Sequence, residues 1–140
     1  MTVAQIRGTV VIPGEASGPL CRLSKPISFW GGVDPETGRI IDPRHPDHGR
    51  DISETILALP AAIGSSSSSA VMLELLRHHT APAGLLIGGL DTILTLGIIV
   101  ARELGYPTIP VVRLGVDELN ALPSEGKIRI TQEGIVAAVE

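Results

Sequence analysis

TILALPAAIGSSSSSAVMLELLRHH (residues 55–79), GLLIGG (84–89) and DTILTLGIIVAREL (91–104) decide the fold. Residues 55–59 form a short apolar run that Pro60 stops, which predicts a strand. Gly64 and five serines follow. From Ala70 the spacing turns helical, with Val71, Leu73, Leu75 and Leu76 apolar and Glu74 and Arg77 outside. This helix is predicted to end near His78–His79, where cations suit the negative end of the dipole. Residues 84–87 read as a short buried strand, and 92–104 as a second apolar helix with Gly105 as its C-cap residue. Two strand–helix units in succession call for parallel strands with helices packed on them.

Outward from this centre, residues 9–12 predict a strand stopped by Pro13–Gly14, and 18–23 a second one. Residues 108–112 predict another strand, in which Pro110 signals an edge or a kink. A short helical turn is expected at 116–122. A hairpin closes the chain, 127–131 against 135–139, across Gln132-Glu133-Gly134. Residues 28–49 are dense in Gly, Pro, Asp and Arg and read as a long ordered loop, a kind of segment that is often functional. The order predicts a mixed α/β fold on a partly parallel core, as a single domain over residues 1–140 without internal repeats.

Composition narrows the function. The chain has 140 residues, 44% of them apolar and 2% aromatic, with a net charge of −4. A core built from Val, Ile, Leu and Ala is expected. Nucleic-acid binding requires a basic stripe and, for single strands, stacking aromatics, and neither is present. One cysteine, Cys21, excludes an internal disulfide and a multi-thiolate metal site built from this chain alone. It is expected to be a small core residue. The apolar stretch 81–101 is broken by Pro82, Gly88–Gly89 and Asp91, which argues against a membrane span. The first residues lack a long apolar segment, so no signal peptide is expected and the cytoplasm is the expected location.

Three segments could carry chemistry. Gly64-Ser65-Ser66-Ser67-Ser68-Ser69 lies between a strand and a helix. It reads either as a flexible linker or as an anion nest, in which helix-start N–H groups and serine hydroxyls meet a carboxylate or phosphate. It lacks the Lys of a nucleotide-binding P-loop. Phe29-Trp30-Gly31-Gly32-Val33-Asp34-Pro35-Glu36-Thr37-Gly38 contains strong turn chemistry: Asp34 opens the turn, Pro35 sets φ, and Gly38 takes a positive φ. Gly31–Gly32 permit close approach to a ligand or partner. The plain alternative is a turn anchored by Trp30 in the core. Asp42-Pro43-Arg44-His45-Pro46-Asp47-His48-Gly49-Arg50 matches no standard metal spacing. Arg39, Arg44 and Arg50 suit an anionic substrate or a partner, with a solvated loop as the alternative. His78–His79 fit a helix end.

The same residues carry a resemblance. Residues 28–38, then Ile41-Asp42, His45-Pro46 and Gly49, then Gly64-Ser65 opening the serine run, are similar to the small subunit of the aconitase X family. Asp91-Thr92-Ile93-Leu94-Thr95-Leu96-Gly97 and residues 107–114 are similar too, so the resemblance spans nearly the whole chain. It implies a swivelling β/β/α domain like the mobile domain of aconitase. It also implies a larger partner subunit whose cysteines hold an iron–sulfur cluster or iron, and dehydration of a small anionic hydroxy acid. By the resemblance Ser65 is the proton acceptor. Gly64, Ser66, Ser67, Ser69 and Arg39 are then expected to bind substrate, and no metal is expected on this chain. Where relatives carry Cys or Thr and then Gly, this chain has Ser66 and Ser68.

Elimination of water needs a base for the Cα–H and a Lewis acid for the leaving hydroxyl. Lowering a serine pKa by ~6 units corresponds to about 8 kcal/mol. Exposed dipole effects supply only ~0.3–1 kcal/mol each. The serine must therefore be desolvated against a partner, which favours a composite site. Within the family two substrates compete: cis-3-hydroxy-L-proline, giving Δ1-pyrroline-2-carboxylate, and mevalonate 5-phosphate. The Phe29-Trp30 and His45-Pro46 pairs favour the first. A non-catalytic anion-binding or regulatory module is the reading from another class.

Overall fold

The computed structural model describes residues 5–63, 67–89 and 92–139. Its first strands are β1 (Gln5–Arg7), β2 (Thr9–Ile12) and β3 (Ala16–Arg22). Next come β4 (Ile27–Ser28), one irregular turn α1 (Phe29–Gly32), and the small hairpin β5 (Val33–Asp34) and β6 (Arg39–Ile40). The central units are β7 (Ile56–Leu59), β8 (Ala62–Ile63), α2 (Ser67–Arg77), β9 (Gly84–Ile87) and α3 (Thr92–Glu103). The chain continues through β10 (Val111–Arg113), α4 (Val116–Asn120), β11 (Lys127–Ile130) and β12 (Ile135–Val139).

The main sheet has the order β1-β12-β11-β3-β7-β9-β10-β2. Its two ends are consecutive in the chain. β1 pairs with β12, β2 pairs with β10, and only Gly8 separates them. The Gly8 N–H donates to the Gly134 carbonyl at 3.0 Å, so the sheet closes on itself. A Cβ on Gly8 would lie 2.3 Å from Val112 Cγ1 and 2.8 Å from the Arg113 carbonyl. The seam therefore requires glycine for close approach.

β3 joins the two halves. Residues 16–19 pair antiparallel with β11, and residues 20–22 pair parallel with β7. β7 continues parallel to β9, and β9 to β10. β7 and β9 are buried along their whole length, as strands covered on both faces must be. Leu57, Leu59, Leu85 and Ile87 pack toward Val71, Met72, Leu75, Leu94 and Ile98 of the helices. Ile56, Ala58 and Leu86 face a second core with Val112, Ile128, Ile130 and Val136. Full burial of one such aliphatic side chain contributes roughly 1.5–3 kcal/mol.

The expected α/β class and partly parallel core are found. α2 begins at Ser67, before Ala70, because Ser suits a first helical turn better than a helix interior. α3 ends as expected, with Gly105 at φ 81 and Tyr106 N–H donating to the Ala101 carbonyl at 2.9 Å. α2 ends in the same way, but with His79 at φ 60 where glycine is usual. β10 corrects the reading of Pro110 as a sheet edge. The strand starts at Val111 and pairs on both sides, with an irregularity between Val111 and Val112. Residues 28–49, expected to be a loop, contain the turn α1 and the β5–β6 hairpin. None of the described helices is long and apolar enough to cross a membrane.

Gly8→Ala is predicted to open the β1–β2 seam and cost roughly 1–3 kcal/mol, the range for forcing extra volume into a packed site. Thermal unfolding checks this: an unchanged Tm would show that the seam does not need glycine.

Candidate functional site

β3, β7, β9 and β10 run in one direction and end at Arg22, Leu59, Ile87 and Arg113. α2 and α3 start beyond this carboxyl edge, so the amino ends of both helices point back to it. Those ends carry the positive end of each helix dipole.

A two-stranded parallel ribbon precedes α2 in the chain. β4 pairs with β8 through Ile27↔Ala62 and Ser28↔Ile63, and α1 packs on α2. Gly64, Ser65 and Ser66, named above as catalytic and substrate-binding residues, lie outside the described residues. Ser67 and Ser69 form the first turn of α2 and are half-buried. Ser68 is 2% exposed and its Oγ has no hydrogen-bond partner. It lies on the stripe that continues through Met72, Leu75 and Leu76 into the core. A buried hydroxyl left unpaired costs about 1–3 kcal/mol.

α3 fixes the serine turn from the other side. A Cβ on Gly97 would stand 2.4 Å from the Ser69 carbonyl. Only glycine lets α3 approach the first turn of α2 this closely.

Trp30 does not anchor the neighbouring loop in the core. It is 63% exposed, while Phe29 is fully buried and takes the anchoring role. Trp30 and Gly31 leave helical geometry, with Gly31 at φ 77 and open space where its Cβ would be. The turn that follows forms as expected: Glu36 N–H donates to Asp34 Oδ1 at 3.0 Å, and Gly38 has φ 75. Thr80 Oγ1 donates to the Pro35 carbonyl at 2.6 Å, tying this turn to the C-terminal end of α2.

Arg39 follows that turn. Its Nη1 donates to the Gly49 carbonyl at 3.1 Å. The described contacts thus tie Arg39 to the 42–50 loop, while Ser67–Ser69 sit at the opposite end of α2. Arg50 donates to Asp47 Oδ1 at 3.1 Å and to the Arg22 carbonyl at 3.3 Å. His45 is buried and uses both ring nitrogens: Nδ1 accepts from Asp47 N–H at 3.0 Å, and Nε2 lies 3.3 Å from the Lys25 carbonyl. An accepting Nδ1 assigns the proton to Nε2, which then donates to that carbonyl. These bonds lock the loop.

The described residues hold no group of three or more His, Cys, Asp or Glu that could bind a metal ion. Cys21 is buried in the helix-side core, and burial raises its thiol pKa. The described residues thus do not fit an iron–sulfur cluster or an iron site.

Sequence reasoning missed Arg22. It ends β3 at the carboxyl edge and lines a cavity of about 530 Å³ with Leu59, Pro60, Gly88, Leu119 and Asn120. Its Nη1 donates to the Leu122 carbonyl at 2.7 Å, which orients the guanidinium. The available signal was a cation closing the run Leu20-Cys21-Arg22 at a strand end.

Comparisons with known proteins agree with this architecture. Residues 5–138 match the family described as the aconitase X swivel domain. The chain is 45% identical to a cis-3-hydroxy-L-proline dehydratase of Hypocrea jecorina over 83% of its length, and 40% identical to one of Pseudomonas aeruginosa over 88%. It spans only 20% and 22% of those two proteins. It is 37% identical to the phosphomevalonate dehydratase small subunit of Methanothermobacter thermautotrophicus, covering 86% of this chain and 95% of that subunit. Aconitase X of Thermococcus kodakaraensis in its holo form superposes with a TM-score of 0.86 at 33% identity, over 98% of this chain and 99% of that one.

Gly97→Ala is expected to push α3 away from the serine turn and lower stability by roughly 1–3 kcal/mol. A melt with unchanged Tm would show that the two helices are not held at this distance.

Proposed function

This chain belongs to the aconitase X swivel domain family, and we propose that it is the small subunit of a dehydratase that acts only with a longer partner chain. The observation that carries this reading is the start of α2. Its first turn, Ser67–Ser69, lies at the positive end of the helix dipole, at the carboxyl edge of the parallel strands, and Gly97 brings α3 against Ser69. The two cis-3-hydroxy-L-proline dehydratases are about five times the matched length. Further relatives are named small subunits. Both facts favour a site completed by a second body.

Ser65 is the base in this reading and takes the proton from the substrate carbon. Gly64, Ser66, Ser67 and Ser69 present donors to the substrate anion at the start of α2. Arg39, expected to bind the same anion, is tied to the 42–50 loop at the other end of α2, and the structure adds Arg22, which lines the edge cavity and can form a charge-assisted bond to a carboxylate. Desolvation by the partner surface raises the worth of each of these contacts. The departing hydroxide needs a Lewis acid, which falls to an iron–sulfur cluster or iron held by cysteines of the partner chain. The reaction proceeds in the cytoplasm on a small anionic hydroxy acid, and the chain forms its own share of the site as one domain over 1–140.

Identity supports cis-3-hydroxy-L-proline as the substrate, because the two relatives bearing that name are 45% and 40% identical, against 37% and 36% for two phosphomevalonate relatives. The phosphomevalonate dehydratase small subunits, 37% and 36% identical and covered to 95% and 98%, keep mevalonate 5-phosphate as the alternative.

Coexpression with the longer chain and assay of both substrates is predicted to give turnover of cis-3-hydroxy-L-proline. Ser65→Ala should lower kcat by at least ~10²-fold, the lower range for a positioned base, and leave assembly intact. Turnover of mevalonate 5-phosphate alone would reverse the substrate, and full activity of Ser65→Ala would remove the base.

A further inference from the structure

α2 and α3 lie in one layer, yet their outer faces differ. On α2 the outward positions are Ala70, Glu74 and Arg77. Arg77 donates to Glu74 Oε2 at 2.8 Å and holds that carboxyl below the usual carboxylate range. That face is built for water. α3 buries Leu94, Ile98 and Ala101 inward and presents Ile93, Leu96, Ile99 and Val100 outward, with Leu104 just beyond its end. Leu96 is 51% exposed and Leu104 58%. Positions 93, 96, 100 and 104 fall on one side of a helix of 3.6 residues per turn. Four of the ten exposed large apolar side chains among the described residues therefore line one side of α3 and its end. Thr92, Arg102 and Glu103 are exposed on the same helix and flank this side, and a contiguous exposed apolar stripe rimmed by polar residues marks a protein interface.

Two features identify what covers it. The stripe begins at Ile93, in the first turn of α3, at the carboxyl edge where the first turn of α2, Ser67–Ser69, also lies. A body that closes over that edge and continues down α3 would bury both. Such a body exists in the relatives: the matched segment is 20% or 22% of two of them and a separate small subunit in others. We propose that the outward face of α3, Ile93, Leu96, Val100 and Leu104, is the docking surface for the long dehydratase subunit. This rests on the small-subunit reading above.

The test is binding of purified long subunit to this chain, measured by calorimetry separately from turnover. Leu96→Glu with Val100→Glu is expected to weaken binding at least 100-fold while the isolated chain keeps its helical circular dichroism and a cooperative melt. Arg77→Ala, on the outer face of α2, should bind like the unaltered chain. Leu96→Ala, a milder change, should weaken binding measurably and covers the case in which the double variant fails to fold. Unchanged binding by Leu96→Ala and the double variant would overturn the proposal. So would a chain that self-associates through α3, with Leu96→Glu yielding monomers whose affinity for the long subunit is unaltered. Binding that depends on α3 in a complex with no dehydratase turnover would uphold the docking surface and refute the proposed reaction.

Discussion

The closed seam at Gly8 organises everything else. β1 and β2 are halves of one extended run, and each pairs with an opposite end of the sheet. Closing the ring removes two exposed edges. It also leaves β3, β7, β9 and β10 parallel, with their carboxyl ends at one rim. Parallel strands need crossover connections, and α2 and α3 supply them on one face. Both helices must then start at that rim. The site's donors, the edge cavity and the serine turn are consequences of this one closure, tightened by Gly97 where α3 meets Ser69.

The chemistry follows from what such a rim can and cannot provide. It offers the positive ends of two helix dipoles, serine hydroxyls and Arg22, all suited to an anion. The described residues offer no metal-binding cluster. A serine hydroxyl becomes a useful base only when water is excluded and its anion is stabilised by fixed dipoles. An open rim cannot do that by itself. The need for a covering body thus arises twice, from the energetics of the serine and from the apolar outer face of α3.

Much of this was legible in the residues. The strand at 84–87 is an apolar run bounded by Pro82 and Gly88, and it is found where its pattern places it. The two helices follow their 3.6-residue spacing, and the closing hairpin follows Gly134. β1 was missed because Gln5-Ile6-Arg7 holds one apolar residue, and its pairing with β12 is decided by tertiary closure. β4 and β8 are two residues each, too short for any periodicity. Trp30 misled because its size suggested a core anchor, while the buried Phe29 beside it serves that purpose. Arg22 was invisible because a strand-end cation becomes significant only once four strand ends are known to share an edge.

The central claim is that this chain and a longer one form a single active site between them. Titrating a fixed amount of the long subunit with this chain, and recording dehydration of cis-3-hydroxy-L-proline, tests it most directly. The account predicts no turnover from either chain alone and activity that rises to a plateau at one small chain per long subunit. Full turnover by the long subunit alone, unaffected by addition of this chain, would contradict it.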